Sequence, residues 1–209
     1  MWLWSFFFSL MIISTWNVNS VRARIDNIQN YLKKFSPDIV VMQEIKTEDK
    51  NFPYDIFKNL SYECYVFGQK SYNGVAIISK KKLNNIKIDL IKDKLKQSRI
   101  ISSDIEIKKR KIKLINIYVP NGNPVDSDKY KYKVDWLNSL IKQLELLSKT
   151  NQHIILTGDF NIIPDDIDVY NPKGFEDDAL FRLDIRKKFR TMINMGFIDV
   201  YRHFYPNKR

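Results

Sequence analysis

An α/β fold is predicted, and three observations predict it. Short apolar runs of strand length alternate with longer stretches whose apolar residues recur at helical spacing. Several of the short runs end in oxygen-bearing side chains, as in Thr15-Trp16-Asn17-Val18-Asn19, Gln43-Glu44 and Gly158-Asp159-Phe160-Asn161. No internal repeat, low-complexity tract or linker breaks the pattern, so 11–209 reads as one domain.

Taken in order, 12–18 reads as a strand. Residues 21–35 read as a helix with Ser20 as N-cap and Ile25, Ile28, Leu32 and Phe35 on one face. Pro37 separates that helix from a strand at 38–43. The run 74–79 is a buried strand closed by the basic turn Lys80-Lys81-Lys82. Residues 99–107 and 112–118 form a hairpin around Lys108-Lys109-Arg110-Lys111, a run read as a solvated tip rather than a DNA-binding patch. A helix over 129–148 carries the stripe Trp136, Leu137, Leu140, Ile141, Leu144 and Leu147, which is core. A strand at 153–158, an Asp-, Pro- and Gly-rich loop at 162–175 and a helix over 177–195, ending near Gly196, complete the series.

The 209 residues are 44% hydrophobic and 13% aromatic, the composition of a folded chain rather than a disordered one. Lys plus Arg is 35 against 24 for Asp plus Glu, a net charge of +11 that suits a polyanionic partner as well as a lysine-rich sequence style. Cys64 is the single cysteine, so no internal disulfide exists, and a cytoplasmic location is expected. The apolar run from Met1 to Ile13 is short of the roughly 18 residues needed to span a bilayer. It has neither a basic start nor a small-residue cleavage site. Residues 1–10 are therefore expected to be an apolar extension outside the fold, with no stable membrane association.

The strand ends define the chemistry. Side chains two apart on a strand share a face, so Asp159 and Asn161 are expected to grip one ion, water or phosphate together. Asn17 and Glu44 add an amide and a fixed negative charge. Oxygen donors with almost no His or Cys suit a hard cation such as Mg²⁺ in an open site. On a basic chain, that points to phosphoryl chemistry. Tyr118-Val119-Pro120-Asn121-Gly122 supplies a phenol, an amide and a turn glycine at another strand end, fit to hold a phosphate or simply to leave the strand. Singly, each motif has an ordinary structural explanation; the ensemble carries the functional one.

Asn17-Val18-Asn19-Ser20-Val21-Arg22-Ala23-Arg24, Gln43-Glu44-Ile45-Lys46, Asn73-Gly74-Val75-Ala76, Tyr118-Val119-Pro120-Asn121-Gly122 and Gly158-Asp159-Phe160-Asn161 occur in this order. Together they resemble the exonuclease/endonuclease/phosphatase superfamily, and within it the exodeoxyribonuclease III and abasic-site endonuclease branch. The resemblance extends to Gly196-Phe197-Ile198-Asp199-Val200-Tyr201-Arg202-His203. It implies a four-layer α-β-β-α sandwich of two mixed sheets. It also implies a Mg²⁺-dependent nuclease, with Mn²⁺ as the alternative ion, that cuts DNA at abasic sites and trims 3′ ends. By the same resemblance Asn17, Glu44, Asp159 and Asn161 stand at the metal. Asp159 positions or deprotonates the attacking water, Asn161 stabilises the pentavalent phosphorus, and Tyr118 contacts the scissile phosphate. Asn121 and Arg99 hold the DNA backbone. The implied partner is double-stranded DNA with abasic sites or 3′ ends, bound by a monomer.

By the same resemblance an Arg-x-Asp element and a closing Ser-Asp-His are expected beyond Arg202-His203; neither stands there, and neither His153 nor His203 matches the catalytic histidine. A sandwich lacking its carboxy-terminal strands, with weakened activity and poor solubility, is the corresponding expectation. The alternatives are a catalytically inactive basic DNA-binding fragment and another phosphodiesterase or phosphatase of the same superfamily.

Overall fold

The computed structural model describes residues 11–150 and 153–209. The Met1–Leu10 extension falls outside the described residues. In chain order the elements are β1 (Ile13–Asn17), α1 (Ile25–Phe35), β2 (Ile39–Gln43), α2 (Tyr54–Asn59), β3 (Glu63–Phe67), β4 (Val75–Ser79) and β5 (Asn84–Lys87). They continue with β6 (Ile100–Ile107), β7 (Arg110–Tyr118), α3 (Asp128–Ser148), β8 (His153–Asp159), α4 (Leu183–Asn194) and α5 (Val200–Phe204).

Among the described residues the strands form two mixed sheets, ordered β1-β2-β4-β3 and β5-β6-β7-β8. The parallel pairs are β1 with β2 and β7 with β8; the other neighbours run antiparallel. Period-two alternation sends successive side chains into different cores. Ile39, Val41, Val75 and Ile77 meet Ile101, Ile105 and Leu114 between the sheets. On the outer side of the first sheet, Val40, Met42, Ala76 and Ile78 pack on Ile28 and Leu32 of α1 and Phe57 of α2. On the outer side of the second, Ile115 and Ile117 pack on Trp136, Leu137 and Leu140 of α3 and Ile185 of α4. This is the four-layer α-β-β-α sandwich.

Several boundaries differ from expectation. Helix α1 begins at Ile25, not 21, because Ser20 is left-handed at φ +84° and the Ser20 and Val21 amides donate to Glu44 O and Ile45 O. Phe35 is 51% exposed and lies tilted against the Tyr31 ring rather than joining the core. The hairpin turns on Lys108 and Lys109 alone, both with positive φ, which places Arg110 and Lys111 in the strand. Helix α4 begins at Leu183, not 177. The Leu180 amide is held by the Asp178 carboxylate and the Ala179 amide by Asn123 Oδ1, which diverts this stretch from a helix. Elements α2, β3, β5 and α5 are not among those the sequence predicts; they are short, and β5 is wholly exposed.

Candidate active site

Four strands reach one end of the sandwich, and along each the inner face turns from apolar to polar. The series are Ile13, Thr15, Asn17 in β1; Ile39, Val41, Gln43 in β2; Leu114, Asn116, Tyr118 in β7; and Ile155, Thr157, Asp159 in β8. Just below the tips, the fully buried Asn116 bridges the sheets. Its Nδ2 donates to Met42 O (2.9 Å) and Ala76 O (3.0 Å), and its Oδ1 accepts from Gln43 Nε2 (2.8 Å). Gln43 Nε2 also lies 3.1 Å from Thr15 Oγ1. Both ends of the Asn116 amide are thereby paired, which its burial demands.

Asn17 joins the two sheets at their tips. Its Nδ2 donates to Glu44 Oε1 and to Asp159 Oδ2, both at 2.8 Å, so two carboxylates converge on one amide. The expected strand-face pairing of Asp159 with Asn161 does not occur, because β8 ends at Asp159 and Asn161 is left-handed at φ +46°. An Asx turn brings them together instead: Asp159 Oδ1 accepts from Asn161 N at 3.0 Å. Asn17 makes the same turn with Asn19 N, and Asn121 with Asn123 N, each at 3.1 Å. The Asn161 side chain then donates to Val119 O (2.8 Å), tying the loop after β8 to the loop after β7. Gly158 allows this closeness. A Cβ there would stand 2.0 Å from Ile117 O, and its φ is +131°.

Glu44 is left-handed at φ +52°, and Lys46 Nζ lies 2.9 Å from its Oε2. Burial pushes its carboxyl upward, but hydrogen bonds from Asn17, Lys46 and Tyr118 with the Lys46 charge outweigh this and hold it below the usual range. Tyr118 is shifted well upward by burial, then by the Glu44 charge and the hydrogen bond to Glu44, so it remains a neutral phenol. Arg99, expected to reach the DNA backbone, is 8% exposed and lies behind Tyr118. Its guanidinium is 4.6 Å from that ring and donates to Tyr118 O and to Gln97 Oε1. Asn121 is exposed on the rim. Asn17, Glu44, Tyr118, Asp159 and Asn161 thus come together, with Asn121 at the edge and Arg99 beneath. Thr15, Gln43, Asp159, Asn161 and Leu180 line part of an open cleft of about 340 Å³.

The donor set fits a hard divalent cation. It offers carboxylate and amide oxygens, and no cluster of three or more His, Cys, Asp or Glu stands at metal spacing among the described residues. That is the chemistry of an open site in which the ion keeps much of its water, not of a closed cage. His153 opens β8 at the far end and His203 lies exposed in α5.

Two further groups at the site were not foreseen. Lys46 is the cation beside Glu44. Lys133 is fully buried under the loops, its ammonium pushed down to about 8 by burial against the opposing pull of Asp178, Asp159 and Asp184. The signal for Lys133 was present: it falls one turn before Trp136 and Leu137, where the α3 stripe calls for an apolar residue.

A model of the Endonuclease/Exonuclease/phosphatase family matches residues 14–207, and the chain belongs to that family. It is 34% identical over 204 residues to the exodeoxyribonuclease III of Haemophilus influenzae, covering 92% of this chain and 75% of the relative. The structure of an AP endonuclease from Archaeoglobus fulgidus superposes with a TM-score of 0.88 at 34% identity, covering 96% of this chain and 76% of that one. The structure of a 3′ phosphatase from Neisseria, NExo, bound to a product DNA hairpin, gives 0.86 at 32% identity, with coverages of 95% and 76%. The family is one of divalent-metal-dependent nucleases, and these relatives act on DNA.

Proposed function

We propose that this chain is a DNA-repair nuclease that hydrolyses phosphodiester bonds at abasic sites and removes nucleotides from 3′ ends. Its ion is Mg²⁺, with Mn²⁺ as the alternative. The observation that carries the reading is the convergence of Glu44 and Asp159 on Asn17, at 2.8 Å each, beside the Tyr118 phenol.

Asn17, Glu44, Asp159 and Asn161 would hold the ion, which when bound neutralises phosphate charge and eases departure of the leaving oxygen. Asp159 orients the attacking water and takes its proton. Asn161 meets the charge that develops at phosphorus. Tyr118, kept protonated, donates to the scissile phosphate, and Arg99 holds that ring from behind while its charge draws the phosphate inward. Asn121 holds the DNA backbone. The partner is double-stranded DNA, met by a chain of net charge +11. No helix among the described residues is long and apolar enough to cross a membrane. A cytoplasmic monomer without stable membrane association is the assembly proposed.

The test is cleavage of duplex DNA bearing one abasic site, with Mg²⁺. Scission is expected, and Asp159→Asn should lower its rate by about 10³-fold. Salt-sensitive binding without scission, unaltered by Asp159→Asn or Glu44→Gln, would replace the enzyme with an inactive DNA-binding fragment. Hydrolysis of phosphoinositides with DNA left intact would move it to another branch of the family.

A further inference from the structure

Lys133 is a lysine with no exposed surface, on the inward stripe of α3. Burying an ammonium is costly unless its donors are used. Here Nζ donates to two main-chain carbonyls, Asn121 O at 2.9 Å and Asn161 O at 2.6 Å, and no carboxylate of the described residues lies at ion-pair distance. Those carbonyls belong to different loops, one after β7 and one after β8, and each loop carries an amide assigned above to DNA or phosphate. The Asn121 loop crosses the side chain so closely that a Cβ on Gly122 would stand 2.6 Å from Lys133 Cδ. Two cross-links above the lysine join the same loops: Asn161 Nδ2 to Val119 O, and Val119 N to Asp159 O at 2.9 Å.

We propose that Lys133 is a positioning residue, an internal strut that rises from α3 and holds the Asn121 and Asn161 loops at the separation their amides need to engage one phosphodiester together. The inference rests on the nuclease reading. Because the side chain is sealed from solvent it touches neither DNA nor water, so its influence passes through the loop carbonyls. A displacement of about 1 Å in a reacting group costs on the order of 10²-fold in rate. The loss should therefore fall on kcat, since backbone contacts elsewhere on the basic surface sustain binding.

The experiment compares wild type with Lys133→Met, which keeps the length and removes the donors. On abasic duplex DNA, kcat should fall about 30- to 100-fold with KM within about threefold. Without DNA or metal, hydrogen exchange at the Val119 amide should quicken at least tenfold, with the β6–β7 ladder unchanged. Unaltered Val119 protection, or a folded variant with kcat within twofold of wild type, overturns the proposal. Gly122→Ala, whose Cβ would crowd Lys133 Cδ and whose backbone stands at φ +88°, is the second arm should Lys133→Met not fold. It should reproduce both changes; normal kcat and protection in Gly122→Ala overturn the strut. If wild type itself cuts no abasic DNA, the nuclease reading fails, while the exchange arm still decides Lys133.

Discussion

At one end of the sandwich buried side chains bind the strand tips to each other across the two sheets; at the other the strands leave through exposed basic turns. The far end carries the basic turns Lys80-Lys81-Lys82 and Lys108-Lys109, and a cleft between the sheets lined by Lys81, Lys82 and Lys111 with Asp104 and Glu106. Lys81, Lys82 and Lys109 to Lys111 are exposed, and their charges are screened by solvent. At the site end, Asn17, Gln43, Asn116, Asn161 and Lys133 each bridge two or more segments. Both ends contain non-glycine residues with positive φ, but for different reasons. Glu44 and Asn161 carry tertiary hydrogen bonds, from Ser20 N to Glu44 O and from Asn161 Nδ2 to Val119 O, whereas Lys108 and Lys109 are the central residues of a two-residue turn. Polar side chains thus form a linked network where they are buried together and make separate contacts, such as Lys80 with Ser36 and Asp38 with Ile12, where water reaches them.

The strongest way to break that contrast is Asn116→Ala. It takes the Asn116 donor from Met42 O and Ala76 O and the shortest acceptor from the Gln43 amide in a sealed layer, so a loss of about 3 kcal/mol in urea unfolding is expected. A loss below about 1 kcal/mol would mean that the layer beneath the tips is not a network.

The strand ends were legible because their information is local: a strand-length apolar run followed by Asn, Glu or Asp reads the same in sequence and in space. The α3 stripe and the hairpin were legible for the same reason. Helix α2 was not, since six residues with Phe57 alone fully buried give no helical period. Strand β3 has no clean alternation of burial, and β5 buries nothing. At the site, the five residues that meet were named from the sequence, but not how they meet. Asn161 reaches its place through an Asx turn and a bond to Val119, 42 positions away in the chain, which strand periodicity does not encode. The resemblance assigns Arg99 to the DNA backbone, but its sequence neighbourhood says nothing of its burial; the Tyr118 and Tyr132 rings that enclose it come from other segments.

A middle case sharpens the comparison. Asp104 faces Lys113 across the β6–β7 ladder, joined to it by an ion pair and to Asn85 by a 2.6 Å hydrogen bond, while Lys113 has only 8% of its side chain exposed. Burial raises the Asp104 carboxyl, but the bonds from Lys113 and Asn85 and the charges of Lys113 and Lys111 prevail and lower it. A carboxyl depressed in the folded state adds stability above its unfolded value near 4, and that stability fades as pH falls through the folded value. Asp104→Asn should therefore cost about 2 kcal/mol at pH 7, less than breaking a fully dry pair, because the carboxylate keeps some water. The difference from wild type should shrink steadily in urea melts taken below about pH 4. A difference that is flat with pH would show that packing, not charge, links the two residues.

The smallest effect belongs to the hairpin tip. Lys109 is exposed at φ +64°, a region that costs a side-chain-bearing residue and suits glycine. Lys109→Gly relieves that cost without disturbing a buried partner, but it also loosens the unfolded chain. The balance should be a gain of about 0.5 kcal/mol, read as a small rise in urea midpoint, with cleavage of abasic DNA unchanged. Asn161 has a similar φ of +46°, yet glycine there would remove the amide that donates to Val119 O. Identical backbone relief is therefore expected to be harmless at one end of the sandwich and to cost catalysis at the other. Should Lys109→Gly also depress cleavage, the two ends are coupled and the division between a linked network and separate surface contacts fails.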